Sequence, residues 1–244
     1  MNNKHPLVKL IITVFYIAVT VSFDKYDLPG LFAMFVYPLA GFILSEISFA
    51  DTLKRIRLVL PFVLLLGILN PFLDRHVIML GGFAVRGGSI SMITLILKCI
   101  FTVLAAYLLV ATTPLERICY ALQMLHVPEI MITQIMLMYR YIFLLINEVG
   151  RISQAYALRA PGQKGINIKA WGPLVGQLLL RTIDRGTLVY ESMLLRGYSG
   201  NYDYLRERDI IKLSDLGYLA FWTALILIMR LVPVITLIGQ VWNF

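Results

Sequence analysis

Polar and apolar positions divide the chain into long apolar runs and one wetter stretch. Leu7 to Phe23, Leu28 to Ile47, Leu58 to Phe72, Ser89 to Ala111 and Asp215 to Gln240 are dominated by aliphatic and aromatic residues. Runs apolar on every side predict helices buried in protein or lipid rather than amphipathic surface helices. The 58–72 run is shorter than the ~20 residues a spanning helix wants. Pro61 and Pro71 blur its ends, and it either extends toward Leu80 or tilts. Between Thr112 and Leu213 the pattern becomes amphipathic. Arg140, Asn147, Arg151, Gln154 and Leu158 recur at helical spacing on one face, and Gln177, Arg181, Asp184 with Arg185, Leu188, Glu191 and Leu195 do so on a second helix. Each rod thus carries a wet stripe and an apolar remainder.

Local start and stop signals sharpen these elements. Thr113-Pro114 and Glu116 open a short helix, Leu115 to Leu125, with Thr113 as N-cap and Pro114 at the first helical position. Pro128-Glu129 opens the first rod, which closes on Ala157-Leu158-Arg159-Ala160 before Pro161-Gly162. The second rod closes on Leu195-Arg196-Gly197, with Ser199-Gly200 beyond. At ~1.5 Å per residue the first rod reaches roughly 45 Å. Asp51 to Arg57 reads as a basic loop, and Gly81 to Ser89 as a second loop.

Composition fixes the class. Apolar residues make up 59% of 244 positions and charged residues only 15%, with a mean hydropathy of +0.79. That profile is well beyond soluble domains and predicts an all-α integral membrane protein. The expected architecture is about five transmembrane helices plus a cytosolic domain of one short and two long helices. The boundaries are 1–111 for the first four spans, 112–213 for the cytosolic block and 214–244 for the last span. The net charge of +8 does not point to nucleic acid, because the basic residues flank apolar runs where the positive-inside rule accounts for them. Lys4 and Lys9, then Lys54, Arg55 and Arg57, then the 112–213 block with twelve basic residues against eight acidic ones, alternate with poorer loops. The amino terminus and the block are therefore expected in the cytoplasm of a prokaryotic cell and the carboxyl terminus outside. A signal peptide competes for the first segment, but no small-residue cleavage motif follows Val21-Ser22-Phe23. Ile130 to Ile146 also competes as a span. Its wet stripe argues against that reading.

Candidate chemistry is sparse. Cys99 and Cys119 lack C-x-x-C spacing and read as buried free thiols. His5, His76 and His126 are scattered with no acidic pattern joining them, so neither a metal site nor a cofactor is expected. The Gly81–Ser89 stretch echoes a phosphate-binding loop, but Gly88 stands where its lysine must be. Lys98 and Arg230 are charges inside spans, which either mark function or bond to facing helices. Arg159 and Arg196 end two helices, where a cation is favoured by the dipole. As a pair in one cytosolic block they fit anchoring to a partner better than capping. Arg140, Glu148, Arg181, Asp184, Arg185 and Glu191 are expected to support the rods, Glu148 and Glu191 by pairing with arginines of the neighbouring rod.

The stretches T-T-P-L-E-R at Thr112, L-H-V-P-E at Leu125, Y-R-Y-I-F-L-L-I-N-E at Tyr139, A-L-R-A at Ala157 and E-S-M-L-L-R-G-Y-S-G at Glu191 carry a family resemblance. With H-P-L-V-K at His5, they resemble the transmembrane (T) component of energy-coupling factor transporters, and within that family the cobalt-type protein CbiQ. The resemblance implies a non-catalytic subunit joining two cytosolic ABC ATPases to a substrate-binding membrane S component of the CbiM type, with a CbiN-like companion. It implies that Ala157 to Ala160 and Leu195 to Gly197 seat in the ATPases. Ala160 replaces the glycine of the commoner form. Nickel or a vitamin such as biotin would leave the same features as cobalt. A self-contained secondary carrier would want internal repeats, and an intramembrane enzyme a nucleophile or carboxylate constellation. The sequence shows neither.

Overall fold

The computed structural model describes residues 4–45, 49–73, 77–80, 83–163, 165–200 and 212–231. The chain begins with α1 (Pro6–Val21), α2 (Leu28–Ala33), α3 (Val36–Ser45) and α4 (Phe49–Leu73). A short hairpin follows, β1 (Val77–Leu80) and β2 (Phe83–Arg86), and then α5 (Gly87–Thr112) and α6 (Leu115–Met124). The two rods are α7 (Glu129–Arg159) and α8 (Ile168–Leu195), and α9 (Leu213–Leu231) completes the described chain. It is an all-α membrane fold with one hairpin among the described residues. Leu28–Ser45, Gly87–Thr112, Glu129–Arg159 and Leu213–Leu231 are long and apolar enough to cross a membrane, and Pro6–Val21 is a shorter apolar helix.

Two compact units partition the chain: 1–121 with 208–244, and 122–207. In the first, α5 is the central helix, with α1, α3 and α4 packed along it and α9 packed on α1. Val8, Ile12, Tyr16, Leu31, Tyr37, Leu104, Leu108 and Trp222 form its buried core. Tyr16 stacks on Tyr37 at 4.5 Å between ring centroids, and Tyr37 meets Trp222 edge-on at 5.1 Å. A Cβ at Gly41 would run into the side chain of Leu108, so glycine there lets α3 lie close to α5. Three threonine hydroxyls in this apolar unit are satisfied within their own helices. Thr13, Thr20 and Thr94 donate to the carbonyls of Lys9, Tyr16 and Ile90, each four residues back.

Three sequence expectations need correction. The Leu28 to Ile47 run holds as a candidate span over Leu28–Ser45, but its helix is interrupted, since α2 caps at Met34 and α3 starts at Val36. The Tyr16 hydroxyl donates to the Met34 carbonyl at 2.8 Å and satisfies an acceptor that this break exposes. Asp51 to Arg57 is helical, inside the 25-residue α4, so the 58–72 run is the later part of a longer helix. Its Lys, Arg and Leu are good helix formers, and charge alone does not turn them into a loop. Gly81 to Ser89 is not a loop either. Phe83–Arg86 is a strand paired to Val77–Leu80, and α5 opens at Gly87. Aliphatic segments on either side of Gly81-Gly82 are a hairpin signature. Lys164, His76 and the carboxyl-terminal 232–244, with Trp242 to Phe244, lie outside the described residues.

Candidate functional site: two arginine-ended helix tips

Proline and left-handed residues set the ends of the rods. Pro128 is the N-cap of α7, and its carbonyl accepts from the amides of Met131 and Ile132. Pro114 does the same for α6, accepting from Arg117 and Ile118, so α6 starts one residue later than Pro114 itself. His126, at φ 62°, closes α6 in the left-handed region. There the amides of His126 and Val127 donate back to Gln123 and Leu122. A non-glycine residue pays a steric cost in that conformation, which the two backbone bonds offset.

The second tip repeats this closure with glycine. Gly197 sits at φ 85°, its amide donates to Leu194 at 2.9 Å, and Tyr198 donates to Met193 at 3.0 Å. Arg196 is thereby the C-cap of α8. The first tip closes differently. Ala160 caps α7 at φ −125° and donates to Tyr156, and the first left-handed residue is Gly162 at φ 97°. Pro161, with no amide hydrogen, cannot supply the returning bond that Gly197 makes. The shared outcome lies in the side chains. Leu158 is 83% and Leu195 90% exposed. Arg159 and Arg196 beside them are exposed and make no ion pair among the described residues.

Glu148 ties the rods together. It accepts from Arg181 of α8 and lies 3.9 Å from Arg151 on its own helix. Asp184 and Arg185 line the same groove as Glu148 and Arg181. Arg140 and Glu191 are exposed and unpaired among the described residues. Toward the other end, Leu137 and Met138 share a wall with Tyr190 and Met193. Pairing therefore runs in opposite senses along the two helices, and α7 and α8 are antiparallel. Arg159 lies beyond Glu148 in one direction and Arg196 beyond Arg181 in the other. Along the axes the two tips are roughly 40 Å apart. The structure does not bring them together.

Hydrogen bonds also join the ends of the connection between the rods, which the sequence reading missed. The Tyr156 hydroxyl donates to Gln163 Oε1 at 2.8 Å and accepts from the Asn167 amide at 3.3 Å. The Asn167 side chain in turn accepts from the Lys169 amide as the N-cap of α8. Only the Asn-before-helix signal was open to sequence reasoning.

The cations inside the apolar runs have backbone partners. Lys98 donates to the carbonyls of Val21 and Phe23. Arg230 donates to Ser22 at 3.1 Å and lies over the Phe23 ring at 4.4 Å. Both converge on the carboxyl end of α1, where carbonyls lack helical partners and the dipole favours positive charge. Lys9 donates likewise to the Thr112 carbonyl ending α5, at 3.2 Å. His5 caps α1 by accepting from the Leu7 amide. Among the described residues no group of three or more His, Cys, Asp or Glu side chains could hold a metal ion.

Apolar helices packed around α5 in one unit, and an amphipathic pair ending in two exposed arginines in the other, define a multi-helix membrane protein. The chain belongs to the CbiQ cobalt transport protein family, whose model matches residues 1–205. It is similar to an uncharacterised protein of Methanocaldococcus jannaschii, 35% identical over 137 residues, covering 55% of this chain and 46% of the relative. It is also similar to a fused cobalt transport protein CbiMQ of Methanocorpusculum labreanum, 34% identical over 95 residues, covering 38% of this chain and 16% of that protein. The chain thus spans less than half the length of either relative.

Proposed function

We propose that this chain is the non-catalytic coupling subunit of an energy-coupling-factor importer for cobalt. In this reading α7 and α8 transmit the motion of two cytosolic ATPases to a CbiM-like substrate-binding membrane partner. The observation that carries it is the matched pair of tips, each an almost fully exposed leucine followed by an exposed arginine with no ion pair among the described residues. An apolar knob beside a guanidinium suits a pocket with a carboxylate, because the fork of donors fixes orientation while the leucine is desolvated. Tips roughly 40 Å apart fit two separate subunits better than one. The fusion of CbiM and CbiQ names in the Methanocorpusculum relative supports a CbiM-like neighbour.

This reading keeps residues 112–213 in the cytoplasm, although α7 is apolar enough to span. The Glu148–Arg181 pair supports that placement, since it ties α7 to a helix outside the group of apolar candidates. A charge pair held in hydrocarbon would be costly. A cysteine at Gln163 should therefore be unreactive to an impermeant maleimide in intact cells and reactive in inverted vesicles. Labelling from outside would overturn the coupling reading. The purified complex should contain a nucleotide-binding protein, and the chain alone should neither hydrolyse ATP nor carry Co2+.

A further inference from the structure

We infer that Tyr156 is a positioning residue for energy coupling, holding the first tip rigid by clasping the end of α7 to the start of α8. The inference rests on the coupling reading and deepens it. The first tip lacks the left-handed closure that stiffens the second: Ala160 is at φ −125° and Pro161 donates nothing. Among the described residues the backbone closes it with the Ala160 amide to the Tyr156 carbonyl at 3.0 Å and the Gln163 amide to the Ala160 carbonyl at 3.3 Å, neither of which reaches α8. The Tyr156 side chain supplies what the backbone lacks. One hydroxyl donates to Gln163 Oε1 and accepts from the Asn167 amide, so it uses both its donor and an acceptor site across the connection. Asn167 carries the link onward, since its side chain accepts the Lys169 amide and sets the first turn of α8.

The geometry also explains why a tyrosine stands three residues before Arg159. At that spacing its ring lies on the same side of the last turn as the tip, and the phenol is long enough to reach past Ala160. Force applied at Leu158 and Arg159 then passes into α8 through the phenol as well as along the main chain, in which Gly162 and Gly165 have positive φ. Without the phenol the tip would swivel on those glycines, and ATPase motion would be lost as local rotation.

The experiment uses the full chain, alone and in its ATPase complex. In purified Tyr156→Phe, the Asn167 amide should exchange about two- to ten-fold faster, the weight of one net hydrogen bond. In the complex, Co2+ carried per ATP hydrolysed should fall by a similar factor while ATPase recovery stays at the wild-type level. Gln163→Glu keeps an acceptor and should retain coupling. Gln163→Met removes it and should lose part, and Tyr156→Phe with Gln163→Met should lose no more than Tyr156→Phe alone. Tyr190→Phe, at an exposed tyrosine of α8, is the control. A purely structural role would lower yield and leave the ratio per ATP unchanged. Unchanged exchange in the isolated chain would overturn the clasp. Faster exchange with an unchanged ratio would overturn its part in coupling. A wild-type complex that recovers no ATPase would overturn the coupling reading itself, and is distinguishable because the exchange arm needs no partner.

Discussion

Reversing the charge at the two tips separates anchoring from capping by magnitude. Neither Arg159 nor Arg196 has an ion-pair partner among the described residues, and both are exposed. The intramolecular loss in Arg159→Glu or Arg196→Glu is therefore confined to the helix dipole, about 0.3–1 kcal/mol. Arg196 should sit at the low end, because the backbone bonds of Gly197 and Tyr198 already close its helix. Truncating a buried charge-assisted contact with a partner costs about 2–5 kcal/mol, some 30-fold or more in affinity. Each single variant should thus unfold within a degree or two of wild type in detergent while recovering far less ATPase and transporting poorly. Because the tips lie at opposite ends of an antiparallel pair, the single variants should weaken contacts to different ATPase copies, and the double variant should abolish assembly. Assembly and Co2+ uptake at wild-type levels in the double variant would reduce both arginines to caps and refute the argument.

Lys98→Met and Arg230→Met should each lower stability by about 1.5–3 kcal/mol, the range for hydrogen bonds to a charged group. The double variant should lose less than the sum, since both brace the turn after α1. A transport defect at unchanged thermal stability would show that these cations serve the cargo path instead. Burial, and then the Glu116 carboxylate, push the Cys119 thiol above its ordinary value. Its thiolate therefore forms at higher pH than that of a free cysteine, and alkylation of the folded protein should be slow at pH 7 and rise only on the alkaline side. Labelling at the rate of the unfolded chain would contradict that placement.

Elements ended by strong local chemistry were legible in the sequence. The first rod runs Glu129–Arg159 as its proline and Pro161-Gly162 flanks require, and α6 and α8 each end two residues before their histidine or glycine stop. Where no breaker stands, the reading failed. The charge of Asp51–Arg57 reports sidedness and not backbone conformation, and the segment is helical. The Met34 break, by contrast, has a breaker in Pro38, which offers no amide hydrogen to the Met34 carbonyl four residues back, and the Tyr16 hydroxyl of α1 takes that place. The partners of Lys98 and Arg230 were hidden for a related reason. Both bind main-chain carbonyls, which every residue has, so the side-chain pattern of the sequence does not announce them. At the tips, the arginines could be named from the sequence, but the antiparallel sense that separates them depends on Glu148 meeting Arg181.

The shortness of α1 has a consequence for the lipid around it. A 16-residue helix rises only about 24 Å, against a hydrocarbon thickness of roughly 30 Å. Its carboxyl end carries two cations fixed to main-chain oxygens and unable to snorkel freely to the headgroups. Where α1 crosses the membrane, as the proposed arrangement has it, the bilayer accommodates the difference by thinning at that edge, at a fraction of a kcal/mol per ångström of mismatch. Acyl-chain length thereby enters the folding energy of the protein directly, with short-chain lipids relieving a deformation that thick, sterol-like membranes would deepen.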